Sequence, residues 1–191
     1  SNKKAKVCNL NKYFDKKLNL IQFILNENMI RTIMSISIQD KYGPNGICFG
    51  CGPKNESGLK IKTYYMDDYY QLKFETNESH RAFQGAINGG IIGTLFDCHG
   101  NWAAAYELFT KYELKEFPST VTAYFNVTLK KPTPSDKLLY IEASITEATM
   151  RKAKVNMIMY ILKGEERIIT AECDALYVLI EENHPAYHRW E

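Results

Sequence analysis

Between Gly89 and about Leu108, apolar residues recur in steps of three and four: Ile92, Leu95 or Phe96, His99, Trp102, Ala103 and Tyr106. That spacing is the period of an α-helix. Apolar side chains surround this helix on most sides, so it has to be buried deeply rather than laid on a surface. The sequence after it offers the covering layer. Four strand candidates follow at 120–130, 137–148, 154–163 and 167–180. In the second, Leu139, Ile141, Ala143 and Ile145 alternate with Tyr140, Glu142, Ser144 and Thr146, the two-residue period of a strand with one buried face. Pro132-Thr133-Pro134-Ser135 and Lys163-Gly164-Glu165-Glu166 supply turns. Ahead of the helix, residues 59–66 and 69–76 flank Asp67-Asp68 and read as a β-hairpin, and 77–88 read as a loop. Short links between the late strands favour antiparallel pairing. The expected class is α+β, with one helix against one curved antiparallel sheet.

The ends differ from this body. In residues 1–42, Phe14, Leu18, Ile21 and Leu25 fall at helical spacing and Ile30, Ile33 and Met34 continue the face, which predicts an N-terminal helical extension. Its lysines allow a membrane-surface reading, but Asp15 and Glu27 dilute the charge, and packing on the domain or on a partner subunit is favoured. The breaker run Tyr42-Gly43-Pro44-Asn45-Gly46 sets the expected boundary, giving a domain over 43–181 and a polar tail over 182–191. The net charge of +2 on 191 residues, with Lys and Arg dispersed, gives no basis for nucleic-acid binding. No apolar run reaches membrane-spanning length and no signal-peptide pattern is evident. Five irregularly spaced cysteines argue for a reducing, intracellular compartment over a disulfide scaffold.

Asp97 stands out because it sits inside the most apolar helix, in Gly93-Thr94-Leu95-Phe96-Asp97-Cys98-His99. A carboxylate there is costly without a partner. It either pairs with a neighbouring hydroxyl or lysine for structure, or lines a cleft as base or nucleophile. At the helix start Asn88 is an N-cap candidate, and Gly89-Gly90 leave the first amides sterically open to a developing oxyanion. Eight residues separate Gly89 from Asp97, ~12 Å at 1.5 Å per residue, so one carbonyl group does not meet both within one subunit. A two-fold dimer that sets one subunit's Gly89 beside its partner's Asp97 resolves this.

The run His80-Arg81-Ala82-Phe83-Gln84-Gly85-Ala86-Ile87-Asn88-Gly89-Gly90, continuing to Asp97, resembles the PaaI-type branch of hotdog-fold thioesterases. That branch carries Gly, two residues, His-Gly-Gly, and an Asp eight residues after the first Gly of the pair. Val121-Thr122-Ala123-Tyr124-Phe125-Asn126-Val127-Thr128-Leu129-Lys130-Lys131-Pro132 resembles the strand and basic Pro turn that follow. Cys48 to Leu59 resembles the lead-in of a subgroup with Cys-x-x-Cys-Gly. The resemblance implies an antiparallel sheet wrapped around a long central helix, dimers or tetramers, and hydrolysis of acyl-CoA to acid and CoA. It implies that Asp97 is nucleophile or general base, that the Gly89 amide polarises the carbonyl, and that Thr122 orients water or the carboxylate from the other subunit. Gly90 and Asn88 belong to the same helix start, and no metal or redox cofactor is implied, CoA being part of the substrate. Two positions depart from the pattern: Asn88 replaces the usual His, and Ala82 stands where relatives place Asn or Gln, with Gln84 or His80 as possible substitutes. Asn caps a helix but does not titrate near neutral pH. They keep open a non-catalytic acyl-CoA-binding or regulatory protein as the alternative, with an enoyl-thioester hydratase third.

Other residues have plainer readings. Cys48-x-x-Cys51 invites zinc, but zinc takes about four ligands, and Cys8, Cys98, Cys173 and His80 would have to converge on it. Buried small residues in a tight loop are favoured, with no metal. His99 lies about 200° around the helix from Asp97 and reads as a core or interface histidine. Lys130 and Lys131 at a strand end can meet CoA phosphates as point charges, as can Arg151, Lys152 and Lys154 more weakly. Phe83, Phe96, Trp102, Phe125 and Tyr160 either line an acyl pocket or form core.

Overall fold

The structure is a computed structural model and describes residues 36–187. The expected N-terminal helix, and the last residues of the tail including His188, lie outside the described residues. The compact unit begins at Ser37, ahead of the boundary expected at residue 43. Ser37 caps a short helix, Ile38–Tyr42, by accepting the Asp40 amide. This helix belongs to the core: Ile38 is buried, and Tyr42 stacks on Phe117 with ring centroids 4.4 Å apart.

A six-stranded antiparallel sheet wraps one long helix. Its strands are β1 (Tyr64–Tyr65), β2 (Tyr70–Phe74), β5 (Thr120–Leu129), β6 (Leu139–Thr149), β7 (Lys152–Lys163) and β8 (Glu166–Leu179), in the spatial order β1-β2-β6-β7-β8-β5. The hairpin expected around Asp67-Asp68 is β1–β2, with Tyr65 opposite Tyr70 and Asp67 in the left-handed region at φ 66°. The loop expected over 77–88 holds a 3-10 turn and a small separate hairpin, β3 (Arg81–Phe83) with β4 (Ala86–Ile87). These strands are too short to show alternation, and β3 is wholly exposed, so no periodic signal marked them.

The central helix runs Gly89–Lys111, three residues past the expected end. Its inner faces are filled by Ile92, Leu95, Phe96, Trp102 and Leu108, all 2% exposed or less. The sheet meets it with the alternating set read from the sequence: Leu139, Ile141 and Ala143 from β6, and Ala153, Val155, Met157 and Met159 from β7, are buried. Small residues let the layers close. A Cβ on Gly100 would stand 2.4 Å from the Tyr177 hydroxyl oxygen, so only glycine admits that tyrosine against the helix. Tyr177 uses the space to donate to the main-chain oxygen of Asp97 at 3.2 Å.

β5 forms an edge of the sheet, and it is unusual for an edge. Tyr124, Phe125 and Leu129 on it are 41%, 41% and 57% exposed. Edge strands in stable monomers are normally blunted by charge, proline or brevity, and this ten-residue strand has none of these. Among the described residues, no helix is long and apolar enough to cross a membrane.

Candidate active site

The central helix turns one stripe of small and polar residues away from the core. Gly89, Gly90, Gly93, Thr94, Asp97 and Cys98 line a single cavity of about 550 Å³, closed by Phe125, Val127 and Leu129 of β5 and by Cys48, Phe49 and Gly50 of the lead-in loop. The spacing of one, four, five, eight and nine residues from Gly89 is what places all six on one helical face. The cavity has the size and largely apolar walls of a small-molecule site. Gly89 and Asp97, named from the sequence, therefore face the same cavity of one chain, at points ~12 Å apart along the axis.

At the helix start, Asn88 is the N-cap, as expected, and its Oδ1 accepts the Gly90 amide at 2.7 Å. This corrects the expectation that both glycine amides stand open: the Gly90 donor is occupied. The Gly89 N–H, first in the helix, has no intrahelical acceptor. It lies where the partial positive charge of the helix terminus is concentrated. A Cβ on Gly89 would sit 3.7 Å from Leu129 Cδ1, so the glycine keeps the amide close to the β5 wall.

At the other end, Thr122 Oγ1 donates to Asp97 Oδ1 at 2.6 Å within one chain. The threonine is itself held from behind. Asn101 Nδ2 lies 3.5 Å from Thr122 Oγ1, and Thr120 Oγ1 donates to Asn101 Oδ1 at 2.6 Å. Thr120 and Thr122 share a face of β5, while Asp97 and Asn101 are four apart on the helix, so strand and helix periods interlock into one relay. The resemblance assigned Thr122 to water or to the opposite subunit's carboxylate; here it holds its own. A second cavity of about 360 Å³ adjoins this relay, lined by Asp97, Asn101, Thr122, Trp102 and the thiols of Cys48, Cys51 and Cys98.

These thiols are the feature the sequence reading did not bring together. Cys48, Cys51 and Cys98 have their sulfurs within 4.8 Å of one another, and all are free. Hydrogen bonds from Cys51 and Cys98, with the amides of Cys51 and Gly50, hold the exposed Cys48 thiol far below its usual range. In return the Cys51 thiol is pushed up to about 11 and Cys98 well above its ordinary value, mainly by their bonds to Cys48. The three thiols are thus coupled: their mutual hydrogen bonds favour ionisation at the exposed Cys48 and oppose it at Cys51 and Cys98.

The remaining candidates sort clearly. His99 is fully buried, as expected of a core histidine; its Nδ1 lies 3.0 Å from Thr63 Oγ1. Phe96, Trp102 and Tyr160 are core, Phe83 is exposed, and only Phe125 of those five aromatics lines the larger cavity. His80, Ala82 and Gln84 are not among the described residues that line it. Lys130 pairs with Glu172 at 2.8 Å in an exposed ion pair, and Lys131 is exposed. Arg151 and Lys154 pair with Glu181 and Glu147.

No family model and no curated protein matches the sequence. Solved structures do match. A thioesterase superfamily protein from Shewanella loihica is similar at 26% identity and TM-score 0.51, over 63% of this chain and 91% of that one. A thioesterase from Haemophilus influenzae aligns at 16% identity and TM-score 0.56, over 70% and 90%. The PaaI protein of Escherichia coli aligns at 12% identity and TM-score 0.52, over 64% and 81%. A long helix wrapped by an antiparallel sheet, with these structural neighbours, gives the chain the hotdog fold of the thioesterase superfamily.

Proposed function

We propose that this chain hydrolyses acyl-CoA thioesters, with Asp97 as the group that activates water or attacks the carbonyl. The observation that carries the reading is the Asp97 carboxylate, oriented by Thr122 at 2.6 Å and opening on a cavity of small-molecule size. The chemistry follows from that carboxylate and from the Gly89 amide at the helix start. The thioester oxygen accepts the Gly89 N–H, whose donor strength rises with the helix dipole. Asp97 as general base takes a proton from water as the water oxygen attacks the carbonyl carbon. The tetrahedral intermediate collapses, the C–S bond breaks, and CoA leaves as a thiolate that is then protonated. As nucleophile, Asp97 would instead form a mixed anhydride that water opens. Thr122 fixes the direction of the carboxylate in either course, and the relay through Asn101 and Thr120 fixes Thr122.

The ~12 Å between Gly89 and Asp97 favours a carbonyl bound between one subunit's Gly89 and its partner's Asp97. The exposed apolar edge of β5 beside the cavity supports a homodimer that pairs there. A hypothetical thioesterase protein from Streptococcus pneumoniae, similar in fold at 14% identity, was solved with coenzyme A, which supports a CoA ester as the ligand class. Lys131, exposed at the end of β5, is the cation proposed for the CoA phosphates. A second reading, an acyl-CoA-binding protein without turnover, is favoured by one observation: Asn88 spends its side-chain oxygen capping Gly90 and offers no titrating group.

CoA release from short, long and aromatic acyl-CoAs, measured for wild type and Asp97→Asn, separates the two. Turnover that collapses in Asp97→Asn supports hydrolysis. Tight binding without turnover by folded wild type moves the assignment to the binding protein, and full activity of a dilute monomer removes the shared site.

A further inference from the structure

The lead-in loop has the form of a metal knuckle. Cys48 and Cys51 are separated by two residues and followed by Gly52. The amides of Gly50 and Cys51 point at the Cys48 sulfur, while the Gly52 amide closes the turn on the Cys48 oxygen at 2.8 Å. Both glycines are demanded by space. A Cβ on Gly52 would stand 2.4 Å from the Cys48 nitrogen, and one on Gly50 would stand 2.3 Å from the Cys98 sulfur. The loop is also fixed before any ligand arrives: Lys54 and Leu59 amides bond the Gly46 and Phe49 oxygens, and the Asn55 side chain bonds the Ile47 oxygen.

The third sulfur comes from the central helix, one residue beyond Asp97. Cys48 and Cys98 sulfurs are 3.9 Å apart. Sulfurs bound to one tetrahedral zinc at about 2.3 Å lie about 3.8 Å from one another. A disulfide takes only two of three thiols and strands the third, whereas a soft cation uses all of them. The Trp102 indole N–H donates to Cys51 at 3.1 Å, an outer hydrogen bond of the kind that tempers charge on a ligating thiolate.

We propose that Cys48, Cys51 and Cys98 bind one zinc ion, with water from the adjoining cavity as the fourth ligand. Each thiol that binds gives up its proton, so three thiolates and Zn2+ carry a net charge of −1 and three protons go to solvent. The ion ties the lead-in loop to the helix turn that holds Asp97, and so braces one wall of the cavity. The proposal does not depend on thioester hydrolysis, and its readouts use none.

The test is a Co2+ titration of the reduced, chelator-treated full chain. About one equivalent per chain, with thiolate-to-cobalt charge transfer and intense tetrahedral visible bands that Zn2+ abolishes, is the expected result. Zn2+ should also slow alkylation of the exposed Cys48, located by peptide mapping, with a chelator restoring its rate. Cys98→Ser should weaken binding by at least about a hundredfold, while Cys173→Ser, outside the cluster, should leave it unchanged. A folded wild type that gives only weak octahedral cobalt bands overturns the proposal, as does undiminished binding by Cys98→Ser. A disulfide among the three that survives reductant, seen in the intact mass, overturns it too.

Discussion

Acid should destabilise this domain through His99. The imidazole is fully buried and burial pulls its pKa down from 6.5 to about 3. Its surroundings fix the neutral form. Gln39 Nε2 donates to Thr63 Oγ1 at 3.0 Å, so the threonine hydroxyl proton is left for His99 Nδ1, also at 3.0 Å. The ring proton then sits on the buried Nε2; the Tyr70 main chain favours the protonated ring, but less than burial opposes it. Because the folded pKa is lower than the unfolded one, the unfolded chain takes up the proton first. The stability tied to the neutral ring is complete above about pH 6.5 and is lost as the pH falls towards about 3. Between about pH 7.5 and about pH 5 the linkage relation gives a loss of about 2 kcal/mol from this group alone. For a domain of this size that is a fall of roughly 4–8 °C in Tm. The assay is urea unfolding at both pH values, at one protein concentration and with chelator present, for wild type and His99→Gln. The variant starts from lower stability, but its pH dependence should be shallower by about 2 kcal/mol. Equal pH dependence in the two proteins would refute the assignment of a low histidine pKa to burial.

Thr122→Val should lower kcat by about 10- to 100-fold, the value of one hydrogen bond to a charged group, with Thr122→Ser retaining most activity. Lys131→Ala should raise KM for CoA esters and leave kcat alone, and the difference should shrink with added salt. Gly100→Ala should cost about 1–3 kcal/mol in urea unfolding by crowding Tyr177, and Tyr177→Phe in the same chain should recover part of it. Phe125→Asp, on the sheet edge, should shift sedimentation towards monomer; an unchanged oligomer would place the interface elsewhere.

The central helix and four late strands were legible because each carries one uninterrupted period. Asn88 marked the helix start, and the Leu139–Ile145 alternation marked the inner face of β6. Asp97 was legible as an anomaly, a carboxylate where the pattern calls for an apolar residue. Its partner was legible only as a type: Thr122 lies 25 positions away, and their meeting depends on how β5 crosses the helix. The thiol cluster failed for the same reason. Cys48 and Cys51 announce themselves by spacing, but Cys98 is 50 residues from Cys48 and joins them only when the lead-in loop folds across the helix. Gly50 was the available clue, since a glycine inside Cys-x-x-Cys leaves room for a third group. The entry helix escaped because five residues hold little more than one turn, too few to show a period.

Phe125 and Leu129 hold two positions at once. Each stands on the exposed margin of the sheet and also forms a wall of the cavity. A substitution that reshapes the space for a ligand therefore also rewrites the surface offered to another strand. Acceptance of a bulkier or slimmer guest and the strength of any pairing along that margin are not independent traits in this chain; they vary together, through the same two side chains.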